Sequence, residues 1–264
     1  MNRIDTCFKQ LAAENKKAFV AYVVAGDPHP SKTHGIVLAL EKAGADIIEL
    51  GLPFSDPLAD GAVNQLGSQR ALEAGATVKG LFEAVKKIRK ESQIPLVLFT
   101  YYNPIFHLGV AEFARQASES GIDGVLILDL PPEEAKAEWP AESALKRISL
   151  IAPTTPEDRI RQIAKSSSGF IYYVSREGVT GMQDKLASGI PAQISAIRAH
   201  TKLPICVGFG ISNPEQAAAT AALADGVVVG SAIVNRIAEW GKSPELPAQL
   251  RAFVQPLAEA THAV

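Results

Sequence analysis

Cysteine is almost missing from this chain, with two residues, Cys7 and Cys206, in 264. They stand far apart in sequence, so neither a disulfide framework nor a cysteine-based metal spacing can be read from them. Cys206 lies in an apolar run and reads as an inert core residue. Histidine is sparse too. His29, His34, His107, His200 and His262 are scattered, and none pairs at ligand spacing with another histidine or a cysteine, which argues against a catalytic metal. An excess of one charge is also lacking. The 26 basic and 28 acidic residues leave a formal net charge of −2, which offers no field for a polyphosphate backbone. The densest basic cluster, Lys86-Lys87-Ile88-Arg89-Lys90, has no interleaved aromatics. It reads as a helix C-terminus, where cations meet the negative end of the dipole. No apolar run approaches the roughly 20 residues that span a bilayer, and residues 1–10 carry no cleavable apolar stretch. The expectation is a cytoplasmic protein with neither nucleic-acid nor membrane partners.

What is present is ordinary in bulk and regular in pattern. The composition, 47% apolar and 20% charged, fits a globular protein with a sizeable core. Short apolar runs rich in β-branched residues recur at 18–25, 45–50, 94–101, 124–129, 147–152, 169–174, 204–209 and 226–230. They are nearly continuous rather than alternating, as in parallel strands covered on both faces. Helical patterns stand between them. Ile36, Val37 and Leu40 form one apolar face that ends at Gly44. Thr155 can cap a helix whose first turn holds Pro156, Glu157 and Asp158, with Ile160 and Ile163 facing inward. Ser212-Asn213-Pro214-Glu215 is a second start signal of this kind. Eight strand–helix alternations predict a TIM (β/α)8 barrel, one domain over 1–264, with a doubly wound open sheet as the structural rival. An extra amphipathic helix at 2–13 is expected to plug the barrel floor.

Loops that follow strands gather at the C-terminal face, where barrel enzymes keep their chemistry. Glu49 lies inside an apolar run, Ile47-Ile48-Glu49-Leu50, near the strand's end, where burying a carboxylate is costly unless it is paired or protonated. The bland alternative is a glutamate bonded to turn amides. A partly apolar setting raises a carboxyl's pKa toward neutrality, which suits proton transfer. Asp56 and Asp60 follow in a proline-stiffened loop, and spacing alone leaves open which of them has the second role. Three glycine-rich loops come later: Ser175–Gly181 after strand six, Gly208-Phe209-Gly210 after strand seven, and Gly230-Ser231 opening a helix after strand eight. Bare amides on these consecutive strands suit a phosphate dianion. No strand carries a lysine at its C-terminal end for a Schiff base. Carboxylate acid–base chemistry on a phosphorylated substrate remains.

These residues resemble the tryptophan synthase alpha chain family over nearly the whole chain, in order. The most specific stretch is Pro53-Phe54-Ser55-Asp56-Pro57-Leu58-Ala59-Asp60-Gly61. Supporting matches are Ala21–Pro28, Asn103-Pro104, Asp129-Leu130-Pro131 and the three glycine-rich loops. The resemblance implies a lyase that splits indole-3-glycerol phosphate into indole and glyceraldehyde 3-phosphate. It implies Glu49 as acid–base catalyst, Asp60 facing the indole nitrogen, and Tyr172 near the reacting glycerol carbons. It further implies Gly181, Gly210, Gly230 and Ser231 at the phosphate. Tyr22, Phe99, Tyr101, Ile127, Ile151 and Phe209 would wall the indole pocket. Asp56, Pro57, Asn103 and Asp129 would lie near an interface with a beta chain, in a heterotetramer of two alpha and two beta chains. No cofactor is implied for this chain, since pyridoxal phosphate (PLP) belongs to the beta partner. The loops at 54–60 and 178–189 would close over substrate, with Gly178, Gly181 and Gly189 as hinges. Two departures stand out. Tyr22 occupies a place where the family has phenylalanine, and Ala62-Val63-Asn64 replaces a stretch that opens with proline. A stand-alone lyase releasing free indole, a non-catalytic regulatory barrel, and another phosphate-binding isomerase or aldolase barrel are the rival readings.

Overall fold

The computed structural model describes residues 2–140, 142–174, 186–208 and 210–264. Eight parallel strands close into a barrel in sequence order, β1 (Ala18–Val24), β2 (Ile47–Gly51), β3 (Leu96–Thr100), β4 (Gly124–Ile127), β5 (Lys146–Ile151), β6 (Ile171–Val174), β7 (Ile205–Gly208) and β8 (Gly226–Val229). Strand β8 pairs back onto β1, with Ala18 opposite Gly226. The open-sheet alternative is therefore excluded.

The helices are α1 (Arg3–Ala13), α2 (Thr33–Lys42), α3 (Ala62–Glu73), α4 (Val78–Ile88), α5 (Tyr102–Leu108), α6 (Val110–Ser120), α7 (Pro132–Glu138), α8 (Glu157–Ser166), α9 (Leu186–Arg198), α10 (Pro214–Ala221), α11 (Ser231–Trp240) and α12 (Leu246–His262). Local chemistry explains several boundaries. Asn2 caps α1 by accepting the Ile4 amide at 2.9 Å. Asn213 caps α10 through the Gln216 amide at 2.9 Å. Gly44, just past α2, has φ +99°, a conformation that glycine adopts without steric cost. Thr155 does not cap α8. Pro156 holds the N-cap position, and the Thr155 hydroxyl accepts the Ala152 amide at 3.0 Å instead. That bond ties the loop to the end of β5, so the side chain is spent before the helix begins.

Two apolar layers build the core. Outward-facing strand residues such as Ala21, Ile48, Leu98 and Val227 pack under the helices. Inward-facing residues, among them Val20, Ile47, Val97, Phe170 and Cys206, meet Ile4, Phe8 and Leu11 of α1, which fills the floor as expected. The upper barrel is left for polar groups. The cluster Lys86–Lys90 closes α4 as expected, yet Arg89 is half-buried. It donates to Asp123 Oδ2 at 2.8 Å and to the Ile94 carbonyl at 2.7 Å, a structural use of the charge.

Candidate active site

Strand parity decides which side chains reach the barrel mouth. Tyr22 and Glu49 lie opposite each other in the β1–β2 register, as do Phe99 and Leu126 across β3–β4 and Leu150 and Tyr172 across β5–β6. Paired residues of parallel strands share a face, and this set faces inward, above the floor residues. Tyr22 packs edge-on against Phe99, with ring centroids 5.1 Å apart.

Two expected pocket walls are corrected by the same rule. Ile151 is registered with Tyr173 and packs with Ile160 and Ile163 in the outer layer. Ile127 packs against the outer core as well. The inward positions belong instead to Leu128, just past β4, which packs against the inner cluster, and to Leu150 of β5, the register partner of Tyr172. A nearly continuous apolar run carries no alternation, so nothing in it marks which residues turn inward.

Glu49 is completely buried, and neither carboxyl oxygen has a hydrogen-bond partner among the described residues. Turn amides therefore do not explain it. Burial pushes its pKa up to about 8, because the ionised form is poorly solvated there. Asp60 reaches the site from the loop after β2. The Tyr101 hydroxyl donates to Asp60 Oδ2 at 2.9 Å and accepts the Ala59 amide at 3.0 Å. Burial raises the Asp60 pKa, while hydrogen bonds from Tyr101 and Asn64 pull it back. Asp56, the competing aspartate, is exposed. Its side chain makes no hydrogen bond to a site residue among the described residues.

Two glycines make room for the two inward tyrosines. A Cβ on Gly51 would collide with the Tyr22 hydroxyl, and one on Gly208 would stand 2.5 Å from that of Tyr172. Both phenols are kept neutral, first by burial and then by the acidic groups around them, Glu49 and Asp60 among them.

Gly230 is the N-cap of α11, which begins at Ser231. The first amides of a helix have no partner within it and aim at anions. Gly210 has φ +67°, so its loop turns in a way a side chain would hinder. Gly181, Gly178 and Phe209 lie outside the described residues, as does most of the expected closing loop at 178–189. Asn103, Asp129, Asp56 and Pro57 gather on loops of the C-terminal rim, and all but the half-buried Pro57 are exposed. Asp129 Oδ1 accepts the Tyr102 amide at 2.6 Å, fixing the start of α5. Leu58 and Phe106, on the same rim, are 84% and 67% exposed.

Sequence reasoning missed three things. Tyr101 reads as an apolar wall, yet its hydroxyl holds Asp60. Asn64 faces the Asp60 carboxylate, and its own Oδ1 is buried without a partner among the described residues. Arg70 of α3 reaches the buried Asp27. Only the polar tip of a residue in an otherwise apolar setting could have signalled the first two.

A closed β/α barrel with a buried and a half-buried carboxyl at its C-terminal mouth, beside the free N-terminus of a helix, is an enzyme scaffold of the acid–base type. The comparisons with known proteins narrow this. The family model for the tryptophan synthase alpha chain matches residues 8–262. The tryptophan synthase alpha chain of Opitutus terrae is 50% identical over 264 residues, covering 99% of each chain. That of Geotalea daltonii is 49% identical over 260 residues, covering 97% of this chain and 98% of the other. A crystal structure of tryptophan synthase subunit alpha from Legionella pneumophila superposes with a TM-score of 0.91 at 39% identity, covering all of both chains. The chain belongs to the tryptophan synthase alpha chain family.

Proposed function

We propose that Glu49 and Asp60 carry the proton chemistry of this family's reaction. The chain is a carbon–carbon lyase of tryptophan biosynthesis that cleaves indole-3-glycerol phosphate into indole and D-glyceraldehyde 3-phosphate. The observation that supports the assignment most directly is Glu49, a fully buried carboxyl on β2 with both oxygens unpartnered among the described residues. A structural glutamate would have its oxygens satisfied.

The chemistry needs a proton at the ring carbon before indole can leave. With a pKa of about 8, Glu49 holds that proton near neutrality and can donate it. The indolenine that forms is cationic at its nitrogen, and an ionised Asp60 stabilises it. The bond between ring and side chain then breaks, its electron pair returning to the ring. The glycerol hydroxyl loses its proton as the aldehyde forms, and the Glu49 carboxylate accepts it. Each such transfer contributes about 10²–10⁴-fold. Tyr172 lines the reacting carbons as a neutral phenol. Gly181, Gly210, Gly230 and Ser231 bind the phosphate, whose remote binding energy orients the substrate. Tyr22, Phe99, Tyr101 and Phe209 hold the indole ring, joined by Leu128 and Leu150. These roles need no cofactor in this chain. PLP would belong to a beta-chain partner.

Leu58 and Phe106 make the C-terminal rim an apolar docking face, with Asp56, Pro57, Asn103 and Asp129 around them. A heterotetramer of two alpha and two beta chains in the cytoplasm is the assembly this supports. Among the described residues, no helix is long and apolar enough to cross a membrane. The test is Glu49→Gln. Cleavage should be abolished while glyceraldehyde 3-phosphate still binds with near wild-type affinity. Parallel loss of binding would make Glu49 structural.

A further inference from the structure

Helix α3 carries the chain directly away from Asp60, yet its apolar grip on the barrel is slight. Its buried residues are Gly67, Ser68 and Ala71, whereas Leu66 and Leu72 are substantially exposed. Gly67 lets the helix approach closely, since a Cβ there would lie 3.0–3.2 Å from Val234, Val24 and Asp27. The directional link from helix to barrel is ionic. Arg70 Nε donates to Asp27 Oδ1 at 2.8 Å, and Nη2 donates to Oδ2 at 2.7 Å. Asp27 is completely buried, just beyond the end of β1. A two-point fork of this kind fixes orientation as well as distance. At the other end of α3, Gln65 Nε2 donates to the Asp60 carbonyl at 2.8 Å, and Gly61 is the helix N-cap. A rigid helix therefore joins the fork to the backbone of Asp60.

We infer that Arg70 and Asp27 form a positioning pair that sets where the Asp60 carboxylate stands in the site. The inference rests on the reading of Asp60 as the group that meets the indole nitrogen. Arg70 lies ten residues beyond its own loop's aspartate and acts through α3 rather than on the reacting atoms. A misplacement of about 1 Å far from the chemistry can cost roughly 10²-fold, so a slack fork should show in turnover more than in binding.

The experiment is a double-substitution cycle on indole-3-glycerol phosphate cleavage, with the beta chain present, using Arg70→Lys, Tyr101→Phe and both together. Lysine keeps the charge on Asp27 and loses the fork. Arg70→Lys should lower kcat about 10- to 100-fold with KM held within roughly twofold. In the Tyr101→Phe background, where Asp60 has already lost its hydroxyl partner, the same change should cost far less. Fully additive losses, or an unchanged kcat with a lowered melting temperature, would overturn the inference and leave an ordinary structural ion pair. Should the lysine variant not fold, Asp27→Asn with Arg70→Gln removes both charges together and runs the same cycle. An Asp60→Asn control separates the two claims. An inactive control leaves the cycle to judge the fork, and full activity would remove the catalytic reading of Asp60 itself.

Discussion

The hydroxyl of Tyr101 braces the loop after β2, donating to Asp60 Oδ2 at 2.9 Å and accepting the Ala59 amide at 3.0 Å. One oxygen thus fixes both the carboxylate and the backbone just before it. The first bond favours the ionised form of Asp60. Tyr101→Phe should therefore raise the Asp60 pKa further. The proposed role of Asp60 requires its ionised form, so the acidic limb of the kcat/KM profile should move to higher pH. Loss of a hydrogen bond to a charged group should lower kcat/KM about tenfold or more at neutrality. A pH–rate comparison of the two proteins measures both effects, and an unmoved acidic limb would mean that the bond is mechanically idle.

Glu49 should limit the other side of the same profile. In the proposed mechanism its proton is the one donated, so kcat/KM should fall as pH rises through about 8. The effect on stability has the same origin. The folded state keeps the Glu49 proton up to about pH 8, while the unfolded chain releases it near the ordinary carboxyl value. Between those limits the folded state binds more protons, so this residue's contribution to stability declines with rising pH. Glu49→Gln should flatten that decline and melt higher than wild type at pH 8, with the gap closing toward pH 4. Melting temperatures across this range check it, and a parallel decline in both proteins would contradict the buried-acid description.

Gly51 should prove intolerant of the smallest side chain for a specific reason. Its missing Cβ makes way for the Tyr22 hydroxyl. Gly51→Ala should cost about 1–3 kcal/mol through overpacking and displace the ring from the pocket wall. Adding Tyr22→Phe removes the offending oxygen and should restore most of the lost stability and turnover. Thermal melts and cleavage rates of the single and double variants decide, and no rescue would place the strain elsewhere.

Phe106 offers a test of the docking face. It lies outside the acid–base site and is two-thirds exposed. Phe106→Asp should leave the chain's cleavage rate alone unchanged and weaken its titration with the beta chain by about tenfold or more, as for a central aromatic anchor. Undiminished association would move the interface away from α5.

The barrel itself was legible because each strand is a short apolar run bounded by turn chemistry, repeated eight times. Glu49 was legible for the opposite reason, as a charge that such a run should not contain. Parity was not legible. Ile127 and Ile151 differ from Leu128 and Leu150 by one position, and every residue in those runs is apolar, so only the register across neighbouring strands separates wall from outer layer. The distinction between Asp56 and Asp60 needed the family resemblance, because both sit in the same loop and only Tyr101, some 40 positions on, tells them apart. Arg70 gave no sign either. Its partner Asp27 stands 43 positions away in sequence, and nothing in either segment marks the pair.

The central claim is that two carboxyl groups in this barrel do the chemistry together. The most direct test is indole release from indole-3-glycerol phosphate by wild type, Glu49→Gln and Asp60→Asn, each with the beta chain present. The account predicts rapid release from wild type and a loss of about 10²-fold or more in each variant, with glyceraldehyde 3-phosphate still bound by both. Cleavage near the wild-type rate in either variant would contradict it.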